Sequence, residues 1–485
     1  MVKNICLALF VALIGGGGCS KQQYPNVEQV NTKTPIKHLI VIFQENVTFD
    51  RYFATYPKAY NLPNEPYFIA KENTPLVNGL TNDLIINNPN KVKPYRLIRN
   101  KWICSSNHEY ANEINAINHG KLDKFVEFTG NPKCYGEVMG FFDGNTVTAL
   151  WNYAQNYSMS DNTFTSNYGP SLLGHLNLIA GTTGTAKLIN ADSSPAIQNR
   201  YLISNLNSAL DDCSYDEQGN PFGSLVEVEN QKNIGDLLSA QKIKWGYFAG
   251  GFTPTGKNKL GGAICGKASI SRYSVKSLDY FPGGVLEPFQ YFKSTSNPHH
   301  LPPSSVSLIG SQDQANHQYD LDNFYKVLDD NNLPAVSFIK AKSFEDEHGD
   351  FSDPLDGQNF LVKIINKVME SNSWKNTAII ITYDDTDGSY DHVLPPKSQF
   401  DSVVGRHGFG QRVPFLVISP YSKSNYVDHT LLNQASILKF IEYNWGLGSI
   451  GGSSIDASSN NILNLFDFKS TNQKLILNVD GVIKR

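Results

Sequence analysis

The sequence has 485 residues, of which 40% are hydrophobic and 18% are charged. This composition is that of a globular protein, and it excludes an intrinsically disordered or fibrous chain. The formal net charge is −4, and there is no basic stripe or arginine-rich tail, which argues against a nucleic acid partner. A chain of this length buries most of its unfolded surface and can form a core without covalent cross-links.

The N-terminus has the pattern of an export signal. A lysine is followed by an apolar run over residues 6–14 and then by small residues up to Cys19. This run is too short to span a membrane. We predict a signal peptide over residues 1–18 and a polar tether over residues 19–35. Cys19 after small residues resembles a lipoprotein cleavage site, and ordinary signal cleavage nearby is the alternative. The protein is therefore expected in the periplasm, anchored to the outer membrane through a lipidated Cys19, or secreted.

Four cysteines remain when Cys6 in the predicted signal peptide and Cys19 at the predicted lipidation site are set aside. An even number in an exported protein predicts disulfides, and four cysteines allow three pairings. Our hypothesis pairs sequence neighbours, Cys104 with Cys134 and Cys213 with Cys265. Metal ligation is the alternative, but no CxxC spacing supports it.

Short apolar runs bounded by polar loops predict strands. In chain order these runs cover residues 38–43, 244–249, 335–341, 378–383 and 414–419. Helical spacing of apolar residues occurs over residues 322–328, 357–371 and 434–445. Runs that are apolar on both faces are typical of strands covered on both sides, and the alternation of strand and helix predicts an α/β fold with a doubly wound, mostly parallel sheet flanked by helices. Residues 187–300 are rich in Gly, Asn, Ser and Pro, and we predict an irregular insertion that caps the site.

Polar side chains follow three of the predicted strands. Glu45 and Asn46 follow the first, His348 lies in the loop after the third, and Asp384 and Asp385 follow the fourth. Ligands of open parallel sheets bind at the carboxyl ends of the strands, and oxygen ligands suit a divalent cation. A single acidic residue after a strand is usually a turn former or helix cap. The adjacent carboxylates of Asp384 and Asp385 repel each other, and a bound cation would relieve that repulsion.

Ser171 is the candidate nucleophile. A Gly-Pro turn precedes it, and the leucines that follow predict a helix that begins at this serine. Backbone N–H groups and the helix dipole favour a phosphate at such a position. A serine at a helix start is most often only an N-cap, and spacing alone does not separate the two roles.

Candidate acid and phosphate-binding groups come from a small set of histidines. His299 and His300 form a pair within a proline-rich loop, while His108 and His348 lie near polar turns. A lone histidine is usually structural or exposed. A pair in a rigid loop is better suited to contact phosphate or to protonate a leaving group.

Together these segments resemble the bacterial phosphoesterase family, which contains acid phosphatases and phosphatidylcholine-type phospholipases C and is related to the alkaline phosphatase superfamily. Residues 44–53 are close to the family motif QENRSFDHYFG, and residues 383–392 match YDDSDGWYDH. The segment 297–305 also resembles the family. The resemblance implies an alkaline-phosphatase-like fold and a phosphoesterase domain over residues 36–468, with a C-terminal tail over residues 469–485.

The resemblance also implies a role for each candidate residue. Glu45, Asn46, Asp384 and Asp385 would bind one divalent metal ion. Ser171 would be both the nucleophile and a further metal ligand. Oxygen-rich ligation leaves Mg, Ca, Mn and Zn open.

The four histidines would line the phosphate pocket, with His108 and His300 binding substrate and His299 or His348 protonating the leaving alcohol. In-line attack would form a phosphoserine, which water then hydrolyses. Histidine is mostly charged in mildly acidic medium, so we predict an acid optimum.

Among the branches of the family, the chain most resembles acid phosphatases of the Francisella type. Phosphate monoester hydrolysis of a small substrate is therefore the predicted function. Two alternatives stay open: a phospholipase C that cleaves diesters with the same core, and a cell-surface lipoprotein that binds ligands without catalysis. The retention of every proposed metal ligand and of Ser171 argues against the second alternative.

Overall fold

All five predicted apolar runs are strands of one eight-stranded sheet. The computed structural model describes residues 31–397 and 408–484; the predicted signal peptide and Cys19 lie outside them. The strands of the sheet are β1 (His38–Gln44), β2 (Ser158–Ser160), β3 (Trp245–Ala249), β4 (Gln318–Asp320), β5 (Val336–Lys340), β6 (Thr377–Tyr383), β7 (Phe415–Ile418) and β8 (Tyr426–Asp428). Their spatial order is β4–β3–β5–β1–β6–β7–β2–β8.

The sheet is mostly parallel, as predicted. Strand β1 lies between β5 and β6 and is parallel to both. The exception is β7, which is antiparallel to its neighbours β6 and β2. One predicted apolar run thus enters the sheet in the reverse direction, because a fully buried strand has the same apolar pattern in either orientation.

Alternate residues of the central strands enter two separate cores. Leu39, Val41 and Phe43 of β1 face one core, while Ile40 and Ile42 face the other. All five are at most 1% exposed, and full burial of each such side chain contributes about 1.5–3 kcal/mol. The sheet is therefore covered on both faces, which confirms the predicted doubly wound α/β class.

Ten α-helices occur within the described residues. They are α1 (Phe49–Phe53), α2 (Asn82–Ile86), α3 (Tyr110–Ile117), α4 (Phe125–Phe128), α5 (Thr148–Asn156), α6 (Leu172–Ala180), α7 (Ile234–Ala240), α8 (Leu321–Asp329), α9 (Pro354–Glu370) and α10 (Ala435–Trp445). The three predicted helices correspond to α8, α9 and α10. Helices α6, α7 and α10 pack on one face of the sheet, and α1, α5, α8 and α9 pack on the other. In the part of the chain that the structure describes, no helix is both long and apolar enough to cross a membrane.

The predicted cap segment, residues 187–300, contains one strand of the central sheet, β3, together with helix α7. Most of its remaining strands are short. Strands outside the central sheet span Tyr95–Arg96, Gly140–Phe141, Thr163–Phe164, Ala186–Leu188, Ile197–Gln198, Tyr201–Leu202, Asn207–Ser208, Leu225–Val228, Gly256–Lys257, Ala263–Ile264, Ala268–Ile270, Lys276–Leu278 and Leu432–Asn433. That residues 187–300 cap the site stays a prediction.

Both ends of the described chain pack against the folded unit. Near the N-terminus, Thr34 donates its hydroxyl to Asn444 Oδ1 at 2.7 Å. In the segment predicted as a C-terminal tail, Leu475 and Leu477 are buried in the core. The compact unit begins at Thr32.

Both hypothesised disulfides form. Cys104 bonds to Cys134 across 30 residues, and Cys213 bonds to Cys265 across 52 residues. In the chain-entropy view, closing a loop of this length stabilises a fold by about 3–4 kcal/mol. The pairing of sequence neighbours is confirmed.

Candidate active site

The two sequence motifs meet at the carboxyl ends of β1 and β6. These strands are paired in parallel register up to Gln44 and Tyr383, so Glu45 and Asp384 leave the sheet at the same level. The backbone N–H of Asp384 donates to Gln44 O at 3.1 Å. The register of two neighbouring strands therefore brings carboxylates from distant parts of the chain together.

Ser171 precedes the first residue of helix α6, but its side chain does not cap the helix. Its hydroxyl oxygen instead lies 3.1 Å from Glu45 Oε2 and 3.1 Å from Asp385 Oδ2. A capping serine would use its oxygen on a backbone N–H in the first turn. The serine hydroxyl is thus directed at the carboxylates, which favours the nucleophile interpretation over the N-cap interpretation.

Gly174 permits the close approach of helix α6 to the end of β6. A Cβ atom at this position would lie 2.1 Å from the carbonyl oxygen of Asp384. No side chain fits in that space. The glycine therefore sets the distance between the helix that carries Ser171 and the strand that carries the aspartates.

The side chain of Asn46 tests whether a cation fits this cluster. One of its two terminal atoms lies 2.9 Å from Glu45 Oε2 and 3.1 Å from Asp384 Oδ1, and the other lies 3.2 Å from His348 Nε2. If the first atom is the amide nitrogen, it donates to both carboxylates. If it is the amide oxygen, three acceptors converge, and a cation is required to hold them together. The donor set, an amide oxygen and several carboxylates, is that of a hard divalent ion.

Burial is not fully compensated by the protein at the two aspartates of this cluster. Burial raises the pKa of Asp384 well above its ordinary value, and the neighbouring charges of Asp385 and Glu45 raise it further. Burial likewise raises the pKa of Asp385 to about 6, against the opposing effect of His108. Buried carboxylates that repel each other in this way are stabilised as anions by a bound cation. The residues present therefore fit a divalent metal ion.

A sequence profile of the Phosphoesterase family matches residues 36–448 of this chain. The chain belongs to the phosphoesterase family. This membership confirms the resemblance on which the site was predicted, and it supports the predicted class of phosphoric ester hydrolase.

Named relatives of this phosphoesterase are phospholipases C. The hemolytic phospholipase C of Pseudomonas aeruginosa is 22% identical over 444 residues, which cover 86% of this chain and 54% of that protein. Phospholipase C B of Mycobacterium tuberculosis is 23% identical over 448 residues, covering 85% of this chain and 74% of that protein. The chain thus spans about half the length of the Pseudomonas enzyme. A crystal structure of an alkaline phosphatase superfamily protein from Vibrio parahaemolyticus aligns with 91% of this chain and 76% of its own, at 10% identity and a TM-score of 0.34.

Two further residues of the phosphoesterase hold Glu45 and were missed by sequence analysis. His175 Nε2 lies 3.2 Å from Glu45 Oε1, and Lys340 Nζ lies 3.4 Å from the same oxygen. Burial would raise the pKa of Glu45, but Lys340, His175 and His348 outweigh that effect and lower it. One oxygen of Glu45 is thus held by cationic or donor groups while the other faces Ser171.

Each missed residue had a detectable signal in the sequence. Lys340 is the charged last residue of β5 and is buried, which is costly unless the charge is paired. His175 follows Ser171 by four residues, so both lie on one face of helix α6. Neither signal identifies the partner, because Glu45 is remote in the chain from both.

Of the four predicted histidines, His108 and His348 lie at this cluster. His108 Nδ1 is 3.2 Å from Asp387 Oδ1, and its Nε2 is 4.0 Å from Asp385 Oδ2. Burial would lower the pKa of His108, but Asp385 and Asp387 raise it well above its ordinary value. The rings of His108 and His348 lie 6.0 Å apart. Both histidines therefore border the face of the cluster where Asn46 and Asp385 lie.

His299 and His300 contact a different pair of carboxylates. His300 is buried, with Nε2 2.8 Å from Asp211 Oδ1 and Nδ1 2.8 Å from Phe252 O. His299 is mostly exposed and lies 2.9 Å from Asp212 Oδ2. Among residues 31–397 and 408–484, the recorded contacts of these two histidines do not include the Ser171 cluster. Their roles in catalysis and substrate binding stay predictions.

Proposed function

We propose that this phosphoesterase hydrolyses phosphate monoesters, with Ser171 as the nucleophile and one divalent metal ion bound by Glu45, Asn46, Asp384 and Asp385. Ser171 would itself be a further ligand. The observation that carries this proposal is the position of the Ser171 hydroxyl, 3.1 Å from two carboxylate oxygens and free of any capping role. A bound divalent ion would lower the pKa of the serine hydroxyl and offset charge on the phosphate oxygens.

The protein's own groups would perform the remaining steps. Ser171 Oγ attacks phosphorus in line with the departing alcohol, forming a phosphoserine that water later hydrolyses. The dipole at the N-terminus of helix α6 would offset charge on the equatorial oxygens. His348 would protonate the leaving alcohol in this proposal, since its ring lies 6.0 Å from that of His108 at the cluster. The sequence favoured His299 equally for that step.

Removal of the Ser171 hydroxyl is the direct test. Ser171→Ala should reduce hydrolysis of p-nitrophenyl phosphate by about 10⁴-fold or more. Ser166→Ala is the matched control, because its hydroxyl is also buried but has no hydrogen-bond partner among the described residues, and it should retain the wild-type rate. Full activity in Ser171→Ala would remove the proposed nucleophile. A chelator should abolish the wild-type rate, and addition of Mg, Ca, Mn or Zn separately should identify the ion.

Phospholipase C activity is the second candidate, and the names of the relatives favour it. The same serine and metal cluster could cleave a diester, since the attack on phosphorus is identical. Rates on p-nitrophenyl phosphate, bis(p-nitrophenyl) phosphate and phosphatidylcholine, measured across pH, separate the two activities. A monoester preference with a mildly acidic optimum is expected for the acid phosphatase.

We further propose that the mature protein acts after export. The two disulfides support an oxidising compartment. The periplasm, the outer membrane through a lipidated Cys19, and the medium are the candidate locations. Radiolabelled palmitate incorporation into the wild type, but not into Cys19→Ala, would support the lipid anchor.

A further inference from the structure

Glu113 joins two parts of the site that are far apart in the chain. It lies in helix α3 and is 3% exposed. Its Oε2 accepts a hydrogen bond from the backbone N–H of Gly169 at 2.7 Å, and its Oε1 accepts one from the Thr386 hydroxyl at 2.8 Å. One buried carboxylate therefore bridges two segments separated by more than 200 residues.

The two partners flank the reacting groups. Gly169 precedes Ser171 by two residues in the turn before helix α6, and Thr386 directly follows Asp385. Gly169 has a φ of 107°, a conformation that favours glycine, and Glu113 holds the N–H group of this turn. The distance between Ser171 Oγ and Asp385 Oδ2, 3.1 Å, therefore depends on two loops that Glu113 ties together.

We propose that Glu113 is a positioning residue, which fixes the Ser171 hydroxyl relative to Asp385. This inference rests on the proposed function, because it assigns Glu113 a part in orienting that nucleophile. Displacement of a reacting group by about 1 Å can reduce a rate by about 100-fold. Glu113 acts through Gly169 and Thr386 and does not itself contact the Ser171 hydroxyl among the recorded contacts of the described residues.

Three substitutions separate bridging from charge. Glu113→Gln keeps the bridge, since its amide oxygen can accept from Gly169 and its NH₂ group can donate to the Thr386 hydroxyl, which also accepts. Glu113→Asp is one methylene shorter and reaches one partner only. Glu113→Ala loses both contacts. We expect kcat on p-nitrophenyl phosphate to fall about 100-fold in the alanine variant, about tenfold in the aspartate variant and less than threefold in the glutamine variant, with KM changed less than threefold throughout.

A second measurement reports the bridge without activity. Hydrogen–deuterium exchange of a peptide covering residues 166–171 should be faster in Glu113→Ala than in the wild type, and it should be unchanged in Glu113→Gln. Glu109→Ala is the matched control, because this exposed glutamate lies beside the same helix and pairs with Ser204. It should leave kcat and exchange at residues 166–171 unaltered.

The outcomes distinguish this inference from the proposed function. If the wild type hydrolyses no phosphoester, the proposed function fails. If the wild type is active and Glu113→Gln is as impaired as Glu113→Ala, the charge of Glu113 matters and the positioning role is overturned. Wild-type kcat in Glu113→Ala also overturns it. If Glu113→Ala does not fold, the aspartate variant decides, since an unchanged kcat there contradicts the bridge.

Discussion

The same two motifs build two acidic clusters that are neutralised in different ways. At the first, Glu45 and Asp385 lie 3.1 Å from the Ser171 hydroxyl, and Asp384 precedes Asp385 in the chain. At the second, a few residues further along each motif, Asp50 and Asp391 surround a guanidinium group. The first lies at the strand ends, where Lys340 and His175 contact one oxygen of Glu45. At the second, a single guanidinium contacts both aspartates.

Arg412 is the internal cation of the second cluster, and it is fully buried. Its Nε and one terminal nitrogen contact both oxygens of Asp391, at 2.9 and 3.1 Å, and that terminal nitrogen also lies 3.1 Å from Asp50 Oδ1. Its other terminal nitrogen donates to the backbone oxygens of Asn78 and Asp161. The guanidinium therefore joins the two motifs, which is a structural role.

The pKa values differ between the carboxylates within each cluster. Burial raises the pKa of Asp391 against the opposing effect of Arg412, whereas Lys340 and His175 outweigh burial and lower the pKa of Glu45. Burial would raise the pKa of Asp50, but His392 and Arg412 outweigh burial and lower it. At the first cluster, burial and like charges together raise the pKa of Asp384. Carboxylates that belong to the same motif can therefore have different surroundings. What separates the two clusters is the guanidinium of Arg412, which contacts both aspartates of the second cluster.

Breaking the first cluster should have the largest effect. Asp385→Asn removes a charge from the proposed metal site, so bound metal should be lost and the rate should fall on the order of 10³-fold. Metal content after desalting and kcat/KM measure this. The matched variant Asp391→Asn, at the second cluster, should retain the metal bound at the first cluster. Unchanged metal content and rate in Asp385→Asn would contradict the proposed ligand set.

Breaking the second cluster should affect stability rather than metal binding. Arg412→Ala leaves Asp50 and Asp391 buried without their cation, and we expect a loss of about 3–5 kcal/mol in the free energy of unfolding. Arg412→Lys should lose less, although it cannot make the bidentate contact. Urea denaturation measures both variants. A stability within about 1 kcal/mol of the wild type in Arg412→Ala would show that the clamp is dispensable.

The histidines sharpen the comparison between residues at the first cluster and residues away from it. If His348 protonates the leaving group, His348→Ala should slow hydrolysis of an alkyl phosphate about 100-fold. It should slow p-nitrophenyl phosphate less, because that leaving group needs little protonation. His299→Ala should change both rates less than twofold. An equal loss in His299→Ala would support the role that the sequence predicted for His299.

The smallest expected effect is a pH dependence of stability at the buried pair of Asp211 and His300. Burial would lower the pKa of His300, but Asp211 raises it, so its stabilisation is complete below about pH 6.5 and is lost as pH rises through the folded pKa. The pKa of Asp211 is lowered because His300 and Tyr280 outweigh burial, so its contribution is present above about pH 4.

The stability difference between the wild type and His300→Gln should therefore be largest between about pH 4 and 6.5. It should shrink by about 1 kcal/mol or more toward alkaline pH. Urea denaturation at several pH values measures this difference. A stability difference that stays constant from about pH 4 to alkaline pH would indicate that His300 is neutral in the folded protein.

Local patterns predicted the strands, and the polar motifs at their ends, for a simple reason. Runs such as residues 378–383 are apolar on both faces and can only be buried, and the polar residues that follow them must lie at a sheet edge. The reversed direction of β7 was not predictable, because it depends on the path of the connection before it. The contacts of Lys340, His175 and Glu113 were also not predictable, since each partner is distant in the chain.

Composition, periodicity and contiguous motifs were sufficient to predict the α/β class and the family. They left three disulfide pairings open and the metal ligands as a prediction, because both depend on contacts between residues that are distant in the chain. Only the tertiary structure decided which acidic residues share a cluster with Ser171 and which are neutralised by Arg412. It also placed His299 against Asp212 and His300 against Asp211. Those outcomes depend on strand register and on long-range packing, which bring together groups that no local pattern relates.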